Sequence, residues 1–277
     1  MPAILLLSEL WIYPIKSLSG ISLTTATLTE RGLTHDRRWM LVDETGRFLS
    51  QRTFPEMALL KVELADDALV IRHKTKPVTP LRIPLESDNQ TNRIDVQVWD
   101  DTMPGQIGNA EADAWFSDVL SQPVRLAYQP EQTRRQVDPR YARHQEITSF
   151  SDGYPFLLIG QASLDDLNSR LDEALPMLRF RPNLVFTGGP AFDEDAWHSF
   201  QVGSQVFFAV KPCARCVMTT IDPETAVKGK EPLRTLARYR NWNSKILFGQ
   251  NLLPGPELGR LAVGDEIVVH TRKQPPL

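Results

Sequence analysis

The chain has 277 residues, 42% of them hydrophobic and 23% charged, so it is long enough to bury a core without disulfides or a structural metal. With 31 Lys and Arg against 34 Asp and Glu the net charge is −3, which excludes a broadly cationic nucleic-acid surface and leaves room for a local basic pocket. No stretch approaches the length of a membrane-spanning helix, and the 2 cysteines form a single Cys-x-x-Cys, which excludes a disulfide scaffold and favours a reducing, cytoplasmic setting.

The opening Met1-Pro-Ala-Ile-Leu-Leu-Leu-Ser8 lacks the basic region and cleavage site of a signal peptide and reads as the start of a strand. Strand-like runs follow at Leu5–Tyr13, Ile21–Leu28, Arg38–Val42, Phe48–Gln51 and Leu59–Leu64, rich in Leu, Ile, Val and Trp and punctuated by polar turns. Asp43-Glu-Thr-Gly46 reads as a hairpin turn, with Gly46 free to take a positive φ. Ala112, Trp115, Phe116, Val119 and Leu120 have helical spacing, and Asn109 is placed to cap them. Gln129–Ser149 is rich in Arg and Gln without periodicity and reads as a surface connection or lid. A second helical face runs through Leu164, Leu167, Leu171 and Leu175, opened by Ser163, and Pro232 starts a third, shorter helix. Strands return from Phe156 and again from Trp197. These elements predict a β-rich α+β chain: a barrel-like N-terminal domain over residues 1–128, then a second barrel over residues 129–277 carrying the cysteines.

Lys211-Pro-Cys-Ala-Arg-Cys-Val-Met-Thr-Thr220 is the most informative segment. Structural zinc needs four ligands, yet no further cysteine exists and His35, His73, His144, His198 and His270 are scattered. A redox dithiol would open a helix, whereas Val217–Ile221 reads as strand. Two small core residues are the plain alternative. Lys211 and Arg215 would stabilise a thiolate, and a thiolate in a basic pocket suits a soft metal, although spacing does not choose which. Tyr13-Pro-Ile-Lys-Ser-Leu-Ser-Gly20 combines a lysine, hydroxyls and a glycine suited either to an anion or to a solvated turn. Phe180-Arg-Pro-Asn183 offers a guanidinium fork and an amide, or simply a turn, and Asp36-Arg37-Arg38-Trp39 could be a structural ion pair.

Taken in order, several segments resemble the MOSC family, named for the C-terminal domain of molybdenum-cofactor sulfurase, and within it the branch of amidoxime-reducing components and their YcbX-like relatives. Tyr13-Pro-Ile-Lys-Ser17, Gly32-Leu33, Asp36-Arg37 with Trp39, and Gln51-Arg52 resemble the N-terminal barrel domain. Ser151-Asp-Gly-Tyr-Pro-Phe156, Ala162-Ser-Leu164, Phe180-Arg-Pro-Asn183, Cys213-x-x-Cys216 with Thr219-Thr220 and Pro223, and Phe248-Gly-Gln-Asn251 resemble the MOSC domain. The resemblance implies a molybdopterin cofactor whose metal is held by Cys216, with Cys213 adjacent and not a ligand. It implies that Lys16, Ser17 and Arg37 surround the pterin phosphate, that Asp152, Gly153 and Tyr154 line the cofactor, and that Arg181 and Asn183 contact the pterin. Relatives often carry small hydroxyl residues where this chain has Gly153 and Tyr154, which implies backbone contacts there. The activity implied is reduction of N-hydroxylated compounds such as amidoximes, hydroxylamines and N-hydroxylated bases, with water leaving. Some relatives add a cysteine-rich iron–sulfur domain; without one, electrons are expected from a separate flavoprotein or a small iron–sulfur or haem carrier. The alternative is a MOSC module that carries sulfur as a cysteine persulfide, or delivers cofactor, without turnover.

Overall fold

A computed structural model gives the fold; it describes residues 4–85 and 92–277, so the first three residues of the opening apolar run lie outside it. Its centre is a closed barrel of seven strands. In order around the barrel these are Phe156–Gly160, Leu184–Thr187, Leu5–Ile12, Glu266–Arg272, Trp197–Val202, Gln205–Ala214 and Lys245–Pro254, the last pairing with the first. The neighbours Phe156–Gly160 and Leu184–Thr187 run parallel, and the helix Gln161–Asn168 lies on the connection between them. Leu7, Leu10, Phe156, Leu158, Phe186, Trp197, Phe200 and Phe207 fill the interior. Phe156 and Leu158 alternate along their strand with Leu157 and Ile159, which are buried in a separate cluster with Val185, Phe180 and Phe248, so this strand is covered on both faces. The strand Leu5–Ile12 therefore completes a barrel whose other six strands all follow residue 155.

The remaining N-terminal residues build a second core. Trp39–Val42, Arg125–Tyr128, Asp101–Ile107 and Asn92–Val98 form a four-stranded sheet, and Leu60–Leu64, Ala68–His73 and Leu81–Pro84 form an antiparallel meander. The helix Ala110–Leu120 packs on this core through Ala112, Phe116, Val119 and Leu120, and the Asn109 side chain accepts the Ala112 N–H at 2.9 Å, the cap expected from sequence. At the expected turn, Asp43 Oδ1 accepts the N–H groups of Thr45 and Arg47. Gly46 there has φ +84°, and a Cβ on it would collide with the Asp95 carbonyl.

Several expectations need correction. Ile21–Leu28 is broken into Ile21–Leu23 and Thr25–Thr29. Phe48–Gln51 contributes only a bridge from Phe48 to Val42, because Ser50 O turns the chain by accepting from Thr53 and Phe54. The second helix ends at Asn168, well short of Leu175, since the Asn168 amide closes a loop by bonding both the N–H and the C=O of Leu175. The helix after Pro232 is a single turn, Leu233–Leu236. Gln129–Ser149 is not a surface connection throughout: it contains the paired segments Arg135–Gln136 and Ile147–Thr148, and Gln129, Arg135, Thr148 and Ser149 are buried. Among the described residues no helix is long and apolar enough to cross a membrane.

Candidate cofactor site

The barrel strand Gln205–Ala214 ends against Ile246, whose carbonyl accepts the Arg215 N–H at 2.7 Å. The chain does not continue as the expected strand. Val217–Thr220 forms a 3₁₀ turn, because the hydroxyls of Thr219 and Thr220 bond back to the carbonyls of Cys216 and Val217. Cys216 is thereby left half-buried at the head of this turn, and both it and Cys213 are free thiols.

All nine residues expected at the site line one cavity with Cys216: Lys16, Ser17, Arg37, Asp152, Gly153, Tyr154, Arg181, Asn183 and Cys216 itself. They arrive from several separate segments of the chain. Lys16 and Ser17 follow the first strand; Lys16 N–H is fixed to the Trp39 carbonyl at 2.8 Å, and Ser17 O receives the Gln51 side-chain amide at 2.7 Å. Arg37 donates to the buried Asp36 carboxylate at 2.6 Å and to Asn183 Oδ1 at 3.1 Å. Arg181 donates to Leu18 O at 2.6 Å, and its guanidinium lies 4.1 Å from the centre of the Tyr13 ring, which Arg37 also covers at 4.5 Å. Ser17, Arg37 and Arg181 all hold left-handed backbone, with φ of +68°, +51° and +55°. For non-glycine residues this costs about 1–3 kcal/mol each, and such strain persists where the surroundings impose it, often at binding sites.

Asn183 plays a different part from a free contact. Its Oδ1 accepts from Arg37 and from the Leu157 N–H, and its Nδ2 donates to Trp11 O, so its amide holds Arg37 in place. At the loop after Ser151, a Cβ on Gly153 would meet nothing within 4 Å, so the backbone there is open to close approach. The Tyr154 hydroxyl is buried without a partner among the described residues.

The cavity carries a surplus of positive charge. Lys16, Arg37, Arg179, Arg181 and Arg215 line it, Arg52 reaches Cys216 beside it, and the carboxylates facing these cations come from Asp36, Asp152 and Asp222. Burial pushes Lys16 down to about 8 against the pull of Asp152, whose Oδ1 lies 2.6 Å from its Nζ. Burial likewise pushes Arg181 down to about 10. Asp152 opens towards the cavity, and although its surroundings oppose ionisation, Lys16, Arg52 and Arg37 hold its carboxyl well below the usual carboxylate range. Buried cations that lack enough counter-charge are costly unless an anion completes the site. Among the described residues, the Nε–H groups of Arg52 and Arg215 are also buried without partners. A sulfur donor beside surplus cations fits a cofactor with a soft metal and a phosphate.

Sequence reasoning put two cations beside a thiolate of the pair and missed a third. Arg215 Nη1 contacts Cys213 Sγ at 3.0 Å, and Lys211 holds its Nζ over the rings of Tyr141 and Tyr154. The guanidinium beside Cys216 belongs to Arg52, with Nη2 at 3.2 Å from Sγ. Gln51-Arg52 stood out in the sequence only as part of a resemblance, and no spacing rule joins residues 164 positions apart. Among the described residues, no group of three or more His, Cys, Asp or Glu could hold a metal ion.

Comparison with known proteins gives the same two-part organisation. Residues 4–123 match the MOSC N-terminal beta barrel domain and residues 145–268 match the MOSC domain. The chain is 33% identical to mitochondrial amidoxime reducing component 2 of Bos taurus, over 94% of this chain and 82% of that protein. It is 32% identical to mitochondrial amidoxime-reducing component 1 of Homo sapiens, over 94% of this chain and 81% of that protein. Molybdenum cofactor sulfurase of Arabidopsis thaliana is 33% identical over 88% of this chain, which corresponds to 32% of that protein. With both domains matched, and with such relatives over nearly its whole length, the chain belongs to the MOSC-domain family, in the branch of the amidoxime-reducing components.

Proposed function

We propose that this cavity binds a molybdenum cofactor and that the chain is an oxidoreductase reducing N-hydroxylated compounds, among them amidoximes, hydroxylamines and N-hydroxylated bases. One observation carries the reading: a free thiol and a surplus of buried cations, drawn from both ends of the sequence, share one cavity. Cys216 is the sulfur that would hold the metal, and Lys16, Ser17, Arg37 and Arg181 would hold the phosphate and pterin. When bound, the cofactor supplies the two-electron chemistry that cleaves an N–O bond. The protein's own work is orientation. Asn183 and Asp36 fix the Arg37 guanidinium, Asp152 fixes the Lys16 ammonium, and Gly153 leaves the loop backbone exposed to the cofactor. Within residues 1–277, Cys213 and Cys216 cannot complete the four-thiolate set of an iron–sulfur cluster; we assign the electrons to a separate flavoprotein or to a small iron–sulfur or haem carrier, as membership of the amidoxime-reducing branch suggests. Two free thiols support a reducing, cytoplasmic setting.

The test uses protein produced in molybdenum-replete cells, with metal content, pterin fluorescence and reduction of an aryl amidoxime by reduced methyl viologen measured together. The wild type is expected to hold molybdenum and reduce the amidoxime. Cys216→Ser, with a harder oxygen donor, is expected to fold and lose reduction. Reduction retained in that variant would overturn the assignment of the ligand. A persulfide on Cys213 or Cys216 without molybdenum would replace this reading with a sulfur-carrier module.

A further inference from the structure

Arg52 reaches Cys216 from the N-terminal core, and its side chain is fixed on several sides. Its Nη2–H points at Sγ from 3.2 Å, and its guanidinium carbon lies 4.1 Å from the centre of the Trp99 ring. Its carbonyl accepts from Lys228 Nζ at 3.0 Å. Among the described residues no carboxylate forms an ion pair with it, and its Nε–H has no partner. Among the described residues the sulfur is therefore the one hydrogen-bond acceptor of this guanidinium.

Trp99 is itself held in place for the task. It occupies the turn between Asn92–Val98 and Asp101–Ile107 with φ +56°, a conformation a bulky residue adopts only under constraint. Its ring meets Phe48 edge-on at 4.7 Å. Its indole N–H is 3.3 Å from Asp152 Oδ1, the same oxygen that binds Lys16 Nζ. The turn thus carries a flat aromatic face to the guanidinium and ties that face to the cation that would meet the phosphate.

We propose that Arg52, clamped on Trp99, is the positioning residue for Cys216: it donates a charge-assisted hydrogen bond to the sulfur and so sets how strongly that sulfur donates to the metal. The inference rests on Cys216 being the metal's ligand. A donor to a ligand sulfur withdraws electron density from it and favours the reduced metal, as hydrogen bonds do at other metal–thiolate centres. The N-terminal domain, which has no cysteine to offer the metal, would thereby tune a metal held through the MOSC domain's Cys216.

Two measurements decide it. In molybdenum-loaded protein, the midpoint potential and the Mo(V) paramagnetic resonance spectrum are compared for wild type, Arg52→Gln, Arg52→Lys and Trp99→Leu. Arg52→Gln is expected to move the potential negative and change the spectrum. Arg52→Lys is expected to recover part of the shift, and Trp99→Leu to give a smaller shift of the same sign. In cofactor-free protein, a thermal double-mutant cycle of Arg52→Gln with Cys216→Ala reads the contact without metal, and its two Tm shifts are expected to be non-additive. Additive shifts, or a loaded Arg52→Gln protein with wild-type potential and spectrum, would overturn the proposal. A wild type that holds no molybdenum sinks the cofactor reading instead, and the cycle still decides whether Arg52 grips Cys216.

Discussion

Asp36 shows how much of the site depends on single buried groups. Its residue is 1% exposed, and its carboxylate takes the Tyr13 N–H at 2.8 Å and Arg37 Nη1 at 2.6 Å. Removing it would leave a guanidinium buried without counter-charge, a change that costs about 3–5 kcal/mol, whereas the favourable worth of an intact buried pair is far smaller. Asp36→Ala is therefore expected to lower the stability of the cofactor-free protein by about 3 kcal/mol in urea denaturation. Asp138→Ala is the control, since it only frees the highly exposed Arg140 and should change little. Equal losses in the two variants would show that the Asp36–Arg37 pair does no more than a surface pair. At this scale the sequence was informative where chemistry is concentrated: Lys16, Arg181 and Cys216 sit in short segments whose residue types allow anion or metal binding, whereas Arg37 read as a structural ion pair and joined the site only through the resemblance. Arg52 was not legible, because its partner is far away in sequence and a lone arginine beside a glutamine has no signature of its own. The commitment of the Asn183 amide to Trp11, Leu157 and Arg37 was equally hidden, since all three acceptors or donors arise from tertiary placement.

The helix Gln161–Asn168 makes the same point for an element. Ser163 looked like a cap in sequence, but the helix starts earlier, at Gln161 after Gly160, and no side chain of its own caps it. Glu194, brought in from a distant turn, accepts the Gly160 N–H at 3.1 Å and the Ser163 hydroxyl at 2.8 Å, while Ser163 Oγ accepts the Phe192 N–H. The capping is done by tertiary structure, which propensity cannot foresee, whereas Asn109 caps Ala110–Leu120 locally and was readable. Glu194 is fully buried, and burial, reinforced by the neighbouring Asp195, pushes its carboxyl up to about 7. An acid whose folded pKa is raised binds its proton more tightly in the native state. Its contribution to stability is therefore greatest below the ordinary glutamate range, declines as pH rises towards about 7, and stays low above that. Glu194→Gln removes this charge. Its stability relative to wild type is expected to improve by on the order of 2 kcal/mol between pH 5 and pH 8 in paired urea titrations. A difference that stays constant across that range would show that Glu194 does not titrate there.

The whole molecule joins the two family domains through one strand. Leu5–Ile12 lies within the match to the N-terminal domain, yet it pairs with Leu184–Thr187 on one side and with Glu266–Arg272 on the other, inside the barrel that carries Cys216. Leu7 and Leu10 on that strand are fully buried among Phe186, Trp197 and Phe200. The succession of short strand-like runs made the barrel class readable from sequence, but which strands neighbour one another across more than 170 residues was not, because pairing partners leave no local trace. A division into residues 1–128 and 129–277 is our proposal for the domain boundary, and the topology predicts what such a cut would do. A fragment of residues 129–277 would lack a central barrel strand, exposing two unpaired edges and the apolar groups that Leu7 and Leu10 cover. It is expected to lack a cooperative thermal transition and near-ultraviolet circular dichroism, and to regain both when co-expressed with residues 1–128. The same reconstitution should bring Lys16, Arg37 and Arg52 back to the cavity, since all three reside in the first fragment. If residues 129–277 alone melt cooperatively with native-like dichroism, the strand Leu5–Ile12 is an accessory to the barrel, and the two halves of the site are held together by the cofactor-binding groups rather than by the shared sheet.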